Sequence, residues 1–154
     1  MKNYKDIKSG LIYAYESDGS QDAFIKEGLV PISDEDLAAM IAPTTEQLLS
    51  QLTAARKEQE QQGVVINNIR YAGDPGNRQT LQEAITYIED AGLTEFPLWK
   101  DSDDVFHADH SLADVKDAVR AIGARRSQLI AAEGEYAAQI AAGTLTDLSE
   151  VVWP

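Results

Sequence analysis

Apolar residues recur at helical spacing over the last third of the chain. Leu112, Val115, Val119, Ile122, Leu129, Tyr136 and Ile140 fall three, four or seven apart, and Ala118, Ile130, Ala132 and Ala137 widen the stripe. This pattern predicts one amphipathic helix from Leu112 to Ala142. At 1.5 Å per residue it would be roughly 45 Å long. Ser111 reads as its N-cap, Asp114 as a capping-box partner and Gly143 as its C′ residue. Gly123 and Gly134 each cost about 1 kcal/mol against alanine, so they imply a close backbone approach or a bend. Arg126 and Glu133 interrupt the stripe and predict a solvated stretch there.

The pattern upstream divides the chain further. Residues 1–43 read as a β-rich module with one short helix. Tyr4–Asp6 and Leu11–Tyr15 are strands around a Lys8-Ser9-Gly10 turn. Ser20 starts a helical turn through Phe24 and Ile25, and Gly28 stops it. Leu29–Ile32 carries Pro31 and so reads as an edge strand. Ser33 and Asp36 open a helix over Asp34–Ile41. A unit this small has little core of its own. Residues 44–62 form a connecting helix, capped by Thr44. Leu48, Leu49, Leu52 and Ala55 give it one apolar patch, followed by a polar stretch from Arg56 to Gln62. It reads as partly unsupported within one chain. The patch is also where a homo-oligomer seam would lie, though it spans under two heptads.

Residues 63–154 form a second module. Val64–Ile66 and Ile69–Tyr71 flank Asn67-Asn68, the composition of a type I′ hairpin. Asn77 reads as the cap of a helix reaching Ala91, with Leu81, Ala84, Ile85 and Ile88 on one face. Pro97–Lys100 and Val105–Ala108 flank Asp101–Asp104 as a second hairpin. After the long helix, Leu145, Leu148, Val151 and Trp153 can fold back over it. The fold class is therefore α+β: a small β-rich module, a connecting helix, and hairpins packed on two amphipathic helices.

The chain has 154 residues and 44% hydrophobic content, enough for one domain or two small ones. No apolar run approaches the twenty residues of a membrane span, and no apolar stretch behind the N-terminus suggests a signal peptide. There is no cysteine, hence no disulfide framework or thiolate metal site. A net charge of −13 disfavours binding to nucleic acid, because phosphates would be repelled. Solubility is the plain reading of that charge. Mimicry of a nucleic acid is the sharper one, but lysines and arginines are mixed in throughout.

Candidate chemistry is sparse. His107 and His110 lie beside Asp103, Asp104 and Asp109, the one cluster with metal-ligand residue types. No third ligand follows from the spacing, so the stretch reads as a solvated acidic turn and a cap rather than a metal site. There is no nucleophile elbow and no glycine-rich phosphate loop with its lysine. Neither enzyme nor cofactor is expected. Tyr13, Tyr15, Phe24, Trp99 and Phe106 are aromatics suited either to a core or to an interface.

Residues 4–32 carry Tyr4-Lys5-Asp6, Ile12-Tyr13-Ala14-Tyr15, Asp18-Gly19-Ser20-Gln21, Phe24-Ile25 and Gly28-Leu29-Val30-Pro31-Ile32. In that order they resemble the N-terminal segment of bacteriophage tail-fibre assembly proteins. Residues 63–154 are similar to a domain of unknown function at the C-termini of many phage tail proteins. That likeness rests on Val65–Ile69, Asp74–Leu81, Trp99-Lys100, Ile140–Thr144 and Trp153. Asp103-Asp104 departs from the Gly or Asn expected in the turn. The resemblance implies a chaperone in the host bacterial cytoplasm. It would bind the distal, C-terminal end of a trimeric phage or tailocin fibre and help it fold and trimerise. Some relatives leave afterwards; others stay on the virion, which makes a fibre-tip adhesin the first alternative. An acidic nucleic-acid mimic directed at a host defence protein is the second. With so little core, the N-terminal module is the expected docking surface, through Tyr13, Tyr15, Phe24, Leu29 and Ile32.

Overall fold

The computed structural model describes residues 1–154, and the architecture is α+β. The chain divides into two units, Met1–Thr44 and Thr45–Pro154.

The first unit holds strands β1 (Lys2–Asp6), β2 (Ile12–Tyr15) and β3 (Leu29–Ile32), with a 3₁₀ turn at Asp22–Phe24 and helix α1 (Asp34–Ile41). The sheet is antiparallel in the order β2-β1-β3, so β3 is an edge strand, as Pro31 requires. The Asp6 carboxylate accepts from the Lys8 and Ser9 N–H groups and closes the first turn. Ser33 Oγ accepts from the Asp36 N–H at 3.0 Å and caps α1.

The second unit runs α2 (Thr45–Gln62), β4 (Val64–Ile66), β5 (Ile69–Tyr71), α3 (Pro75–Asp90), β6 (Glu95–Lys100), β7 (Phe106–Ser111) and α4 (Leu112–Ala141), then a 3₁₀ turn at Leu148–Glu150. Asn67 and Asn68 hold the positive φ values, 50° and 64°, that a type I′ turn needs. The cap of α3 is Asp74 rather than Asn77. Asp74 Oδ1 accepts from the Asn77 N–H at 2.9 Å, and Pro75, with no N–H to satisfy, takes the first helical position. Asn77 instead turns its amide back to the Ala72 carbonyl. The second hairpin is longer than expected, because β6 pairs on one side only and tolerates Pro97 inside it. Asp101 shapes its turn by accepting from the Asp103 and Val105 N–H groups, while Asp104 takes the left-handed conformation at φ 64°.

Strand β7 passes directly into α4, and Ser111 ends one and caps the other. Asp114 is not its capping-box partner. Its carboxylate accepts from the Asn67 amide on the β4–β5 turn. The first half of α4 packs on α3 and both hairpins through Leu112, Val115, Ala118 and Ile122, with Tyr71, Leu81, Ile85, Ile88 and Phe96 opposite. The second half faces α2 and the tail: Leu48, Leu52, Ile140 and Leu145 form a second cluster, closed by Tyr136, Val151 and Trp153. The apolar stripe therefore changes partner midway, and Ile130, expected within it, is exposed.

Helix α2 is not a connector. It lies antiparallel on α4 and belongs to the second unit along its whole length. Its polar half is held there too at Arg56 and Glu60, while Lys57, Glu58, Gln61 and Gln62 stay exposed. Arg56 pairs with Glu60 on its own helix and with Glu133 on α4 at 2.6 Å, and the Thr53 hydroxyl donates to Glu133. The expected solvated break at Glu133 is thus an interhelical ion pair. Two glycines make the joint possible. A Cβ at Gly63 would lie 1.8 Å from the Tyr71 carbonyl oxygen, and one at Gly73 would lie 2.1 Å from that of Glu60. Gly123 and Gly134 have no such neighbour: nothing lies within 4 Å of a Cβ at either. No helix is long and apolar enough to cross a membrane.

Candidate docking surface

Residues paired directly across antiparallel strands share a face of the sheet. In the first unit Tyr4 pairs with Tyr13 and with Pro31, Lys2 with Tyr15, and Asp6 with Leu29. One face therefore carries Tyr4, Tyr13, Tyr15, Leu29 and Pro31. Lys5 pairs with Ile12 and Val30, and Asn3 with Ala14 and Ile32. The other face carries Ile12, Ala14, Val30 and Ile32.

The two faces are covered differently. The loop around the 3₁₀ turn reaches the tyrosine face: Lys26 Nζ lies 5.0 Å from the Tyr13 ring centroid, and Lys2 pairs with Asp22 at 2.6 Å. The hydrogen bond to Asp22 raises the Lys2 pKa. Tyr4 and Tyr15 meet edge to face at 5.7 Å. Hydrogen bonds hold the turn carboxylates below their ordinary range, Asp6 through the Lys8 N–H first and Asp18 through the Ser20 hydroxyl first. On the other face Ile12, Ala14 and Val30 are exposed and Ile32 is half-buried. The outer edges of β2 and β3 have no strand beside them. No residue of the first unit is buried.

The five residues expected to dock a partner are thus divided. Tyr13, Tyr15 and Leu29 share the tyrosine face and are half-buried. Ile32 lies on the opposite face, and Phe24 projects from the 3₁₀ turn, 73% exposed. Sequence reasoning passed over Ile12, Ala14 and Val30. Their signal was the alternation that places them in phase with Ile32.

The histidines belong elsewhere. His110 is not part of an exposed cap: it is 5% exposed in the second unit's core, opposite Phe96 on β6. Tyr71 Oη and His110 Nε2 share a hydrogen bond of 2.6 Å. Burial lowers the pKa of His110 and pushes that of Tyr71 up to about 12. His107 Nε2 lies 2.9 Å from Asp101 Oδ2, and that hydrogen bond is the main cause of a lowered Asp101 pKa. No group of three or more His, Asp or Glu side chains converges in a way that could hold a metal ion.

The second unit is thus a domain of two hairpins packed against long helices. The chain belongs to the family described as domain of unknown function (DUF4376), whose model matches residues 43–152. The match takes in α2 and every later element as far as Val152, in keeping with the packing of α2 on α4. No curated protein and no solved structure matches the chain.

Proposed function

We propose that the protein is an assembly chaperone for a trimeric phage or tailocin tail fibre, working in the host bacterial cytoplasm and docking the fibre's C-terminal end on its first unit. The observation that carries this reading is the absence of any buried residue in Met1–Thr44, beside an open apolar face and two free strand edges. A sheet built this way gains stability by adding a strand or burying a face against a partner. The resemblance of residues 4–32 to tail-fibre assembly proteins supplies the partner. Intertwined β-rich fibres form slowly and expose unpaired edges on the way, and a docked chaperone suppresses aggregation in that interval.

The test is co-expression of the cognate fibre with the full chain carrying Ile12→Asp and Val30→Asp. Both side chains are already exposed, so the second unit should melt like the parent. The yield of folded fibre trimer should fall roughly tenfold or more, the equivalent of about 1.4 kcal/mol of lost binding. An unchanged yield from this double variant would exclude the open face as the docking surface.

A further inference from the structure

Four of the thirteen lysines and arginines of this acidic chain converge at one place on the second unit. A cleft of about 400 Å³ between α2 and the start of α3 is lined by Arg56, Lys57, Arg78 and Arg126 together with Glu60 and Asp74, and Glu133 pairs with Arg56 from α4. Asp74 is committed to capping α3. Glu60 is 9% exposed and already pairs closely with Arg56. It stands 3.4 Å from Arg126 and 3.7 Å from Arg78, which remain 47% and 29% exposed. Arg56 is a structural cation, since Glu133 pairs with it as well. Arg78 also donates to the Gly73 carbonyl at 2.7 Å, and Arg78 and Arg126 share the one Glu60 carboxylate between two five-donor groups. Lys57 at the rim is exposed and has no ion-pair partner.

Arg78 and Arg126 also border a second cleft of about 340 Å³, which continues between α3 and α4 over Leu81, Val119 and Ile122 and ends at Gly123. Gly123 costs helix stability, yet no atom of this chain occupies the space its missing side chain leaves. Two guanidiniums therefore stand between a cationic recess and an apolar one.

We infer that this pair of clefts binds a peptide segment of a partner protein in which a glutamate or aspartate neighbours a large apolar residue. The carboxylate sits between Arg78 and Arg126, a geometry suited to forked hydrogen bonds. The apolar side chain lies over Leu81 and Val119 in the gap at Gly123. Charge complementarity selects the occupant: with a net charge of −13, anions are repelled except where cations converge locally. This site is separate from the face proposed to dock a fibre and shares no residue with it.

The experiment measures binding of a fluorescent alternating glutamate–leucine hexapeptide to the full chain by anisotropy at low salt. Lysine–leucine and glutamate–serine hexapeptides and inorganic pyrophosphate serve as competitors. The glutamate–leucine peptide should bind with a Kd of roughly 10–100 µM, and the competitors at least about tenfold more weakly. Arg126→Gln, at a partly exposed position, should weaken binding about tenfold or more. Gly123→Leu, which fills the gap with a good helix former, should abolish it. Circular dichroism should show both variants folded. The assignment is overturned if the peptide does not bind, if either folded variant binds like the parent, or if the glutamate–serine peptide or pyrophosphate binds as tightly as glutamate–leucine.

Discussion

Neutral His110 sits against Tyr71 among Phe96 and Trp99, with almost no water at either ring. Burial lowers the His110 pKa from 6.5, so below that pH the unfolded chain binds a proton more readily than the folded one. Its contribution is fully present above pH 6.5 and is lost as pH falls below it. Tyr71 behaves in the opposite sense. Its pKa rises from 10.0 to about 12, so its contribution is full below pH 10 and declines towards pH 12. Urea midpoints of the second unit should therefore plateau between these limits and drop on both sides. Tyr71→Phe keeps the ring and should flatten the alkaline limb. A midpoint still rising above pH 10 in the parent would contradict the burial of Tyr71. Little of this was legible in the sequence. His107 and His110 stood beside Asp103, Asp104 and Asp109 and looked like a wet turn and a cap. Only the cross-strand register, which sets His110 opposite Phe96, turns that side chain inward.

The elements were far more legible than their partners. The caps of α1 and α4, the Asn67-Asn68 turn and the ends of α2 follow from local chemistry that a sequence displays directly. Which helix α2 would lie against was not local. Its polar half looked solvated because Arg56 and Glu60 find Glu133 and Arg126 only through the fold. The same holds for the glycines. Gly123 and Gly134 read as close approaches or bends, but a Cβ at either would meet nothing, whereas Gly63 and Gly73 are pinned between α2 and β5. Gly73→Ala should lower unfolding stability by several kcal/mol, because a methyl would meet backbone rather than a yielding side chain. Gly134→Ala should raise it by up to about 1 kcal/mol. Thermal melts of the two variants shifting in the same direction would contradict this assignment of the joint.

Across the whole molecule, the boundary that matters lies at 44/45 rather than 62/63. A fragment spanning 45–154 keeps both apolar clusters and should unfold in one cooperative transition. A fragment spanning 63–154 loses Leu48 and Leu52, leaves Ile140 and Leu145 uncovered, and should melt well below it or aggregate. Equal melting temperatures for the two would mean that α2 is dispensable. The first unit could be expected from sequence to be short of core, since so few residues cannot enclose an interior. Which of its faces stays open could not be anticipated, because that depends on where the 3₁₀ loop lies. The tyrosines drew attention, yet Lys26 reaches over Tyr13 while Val30 is left bare.

The second apolar cluster has a consequence in time. It joins Leu48 and Leu52 to Ile140, Leu145 and Trp153, residues separated by most of the chain. On the ribosome α2 waits for its partner through the synthesis of both hairpins, α3 and most of α4. The hairpins, α3 and the start of α4 have their apolar cluster nearer at hand, between Val64 and Ile122. They can therefore close first, at a smaller cost in loop entropy. Throughout that interval α2 is a nascent amphipathic segment with an unpaired leucine face, open to chaperones or to premature association. The order of assembly should leave a trace in the finished protein. Amides of α2 and of the Leu145–Trp153 segment should exchange with deuterium sooner than those of α3, as the last part to lock and the first to open. Uniform protection across both regions would show instead that the unit closes in a single step.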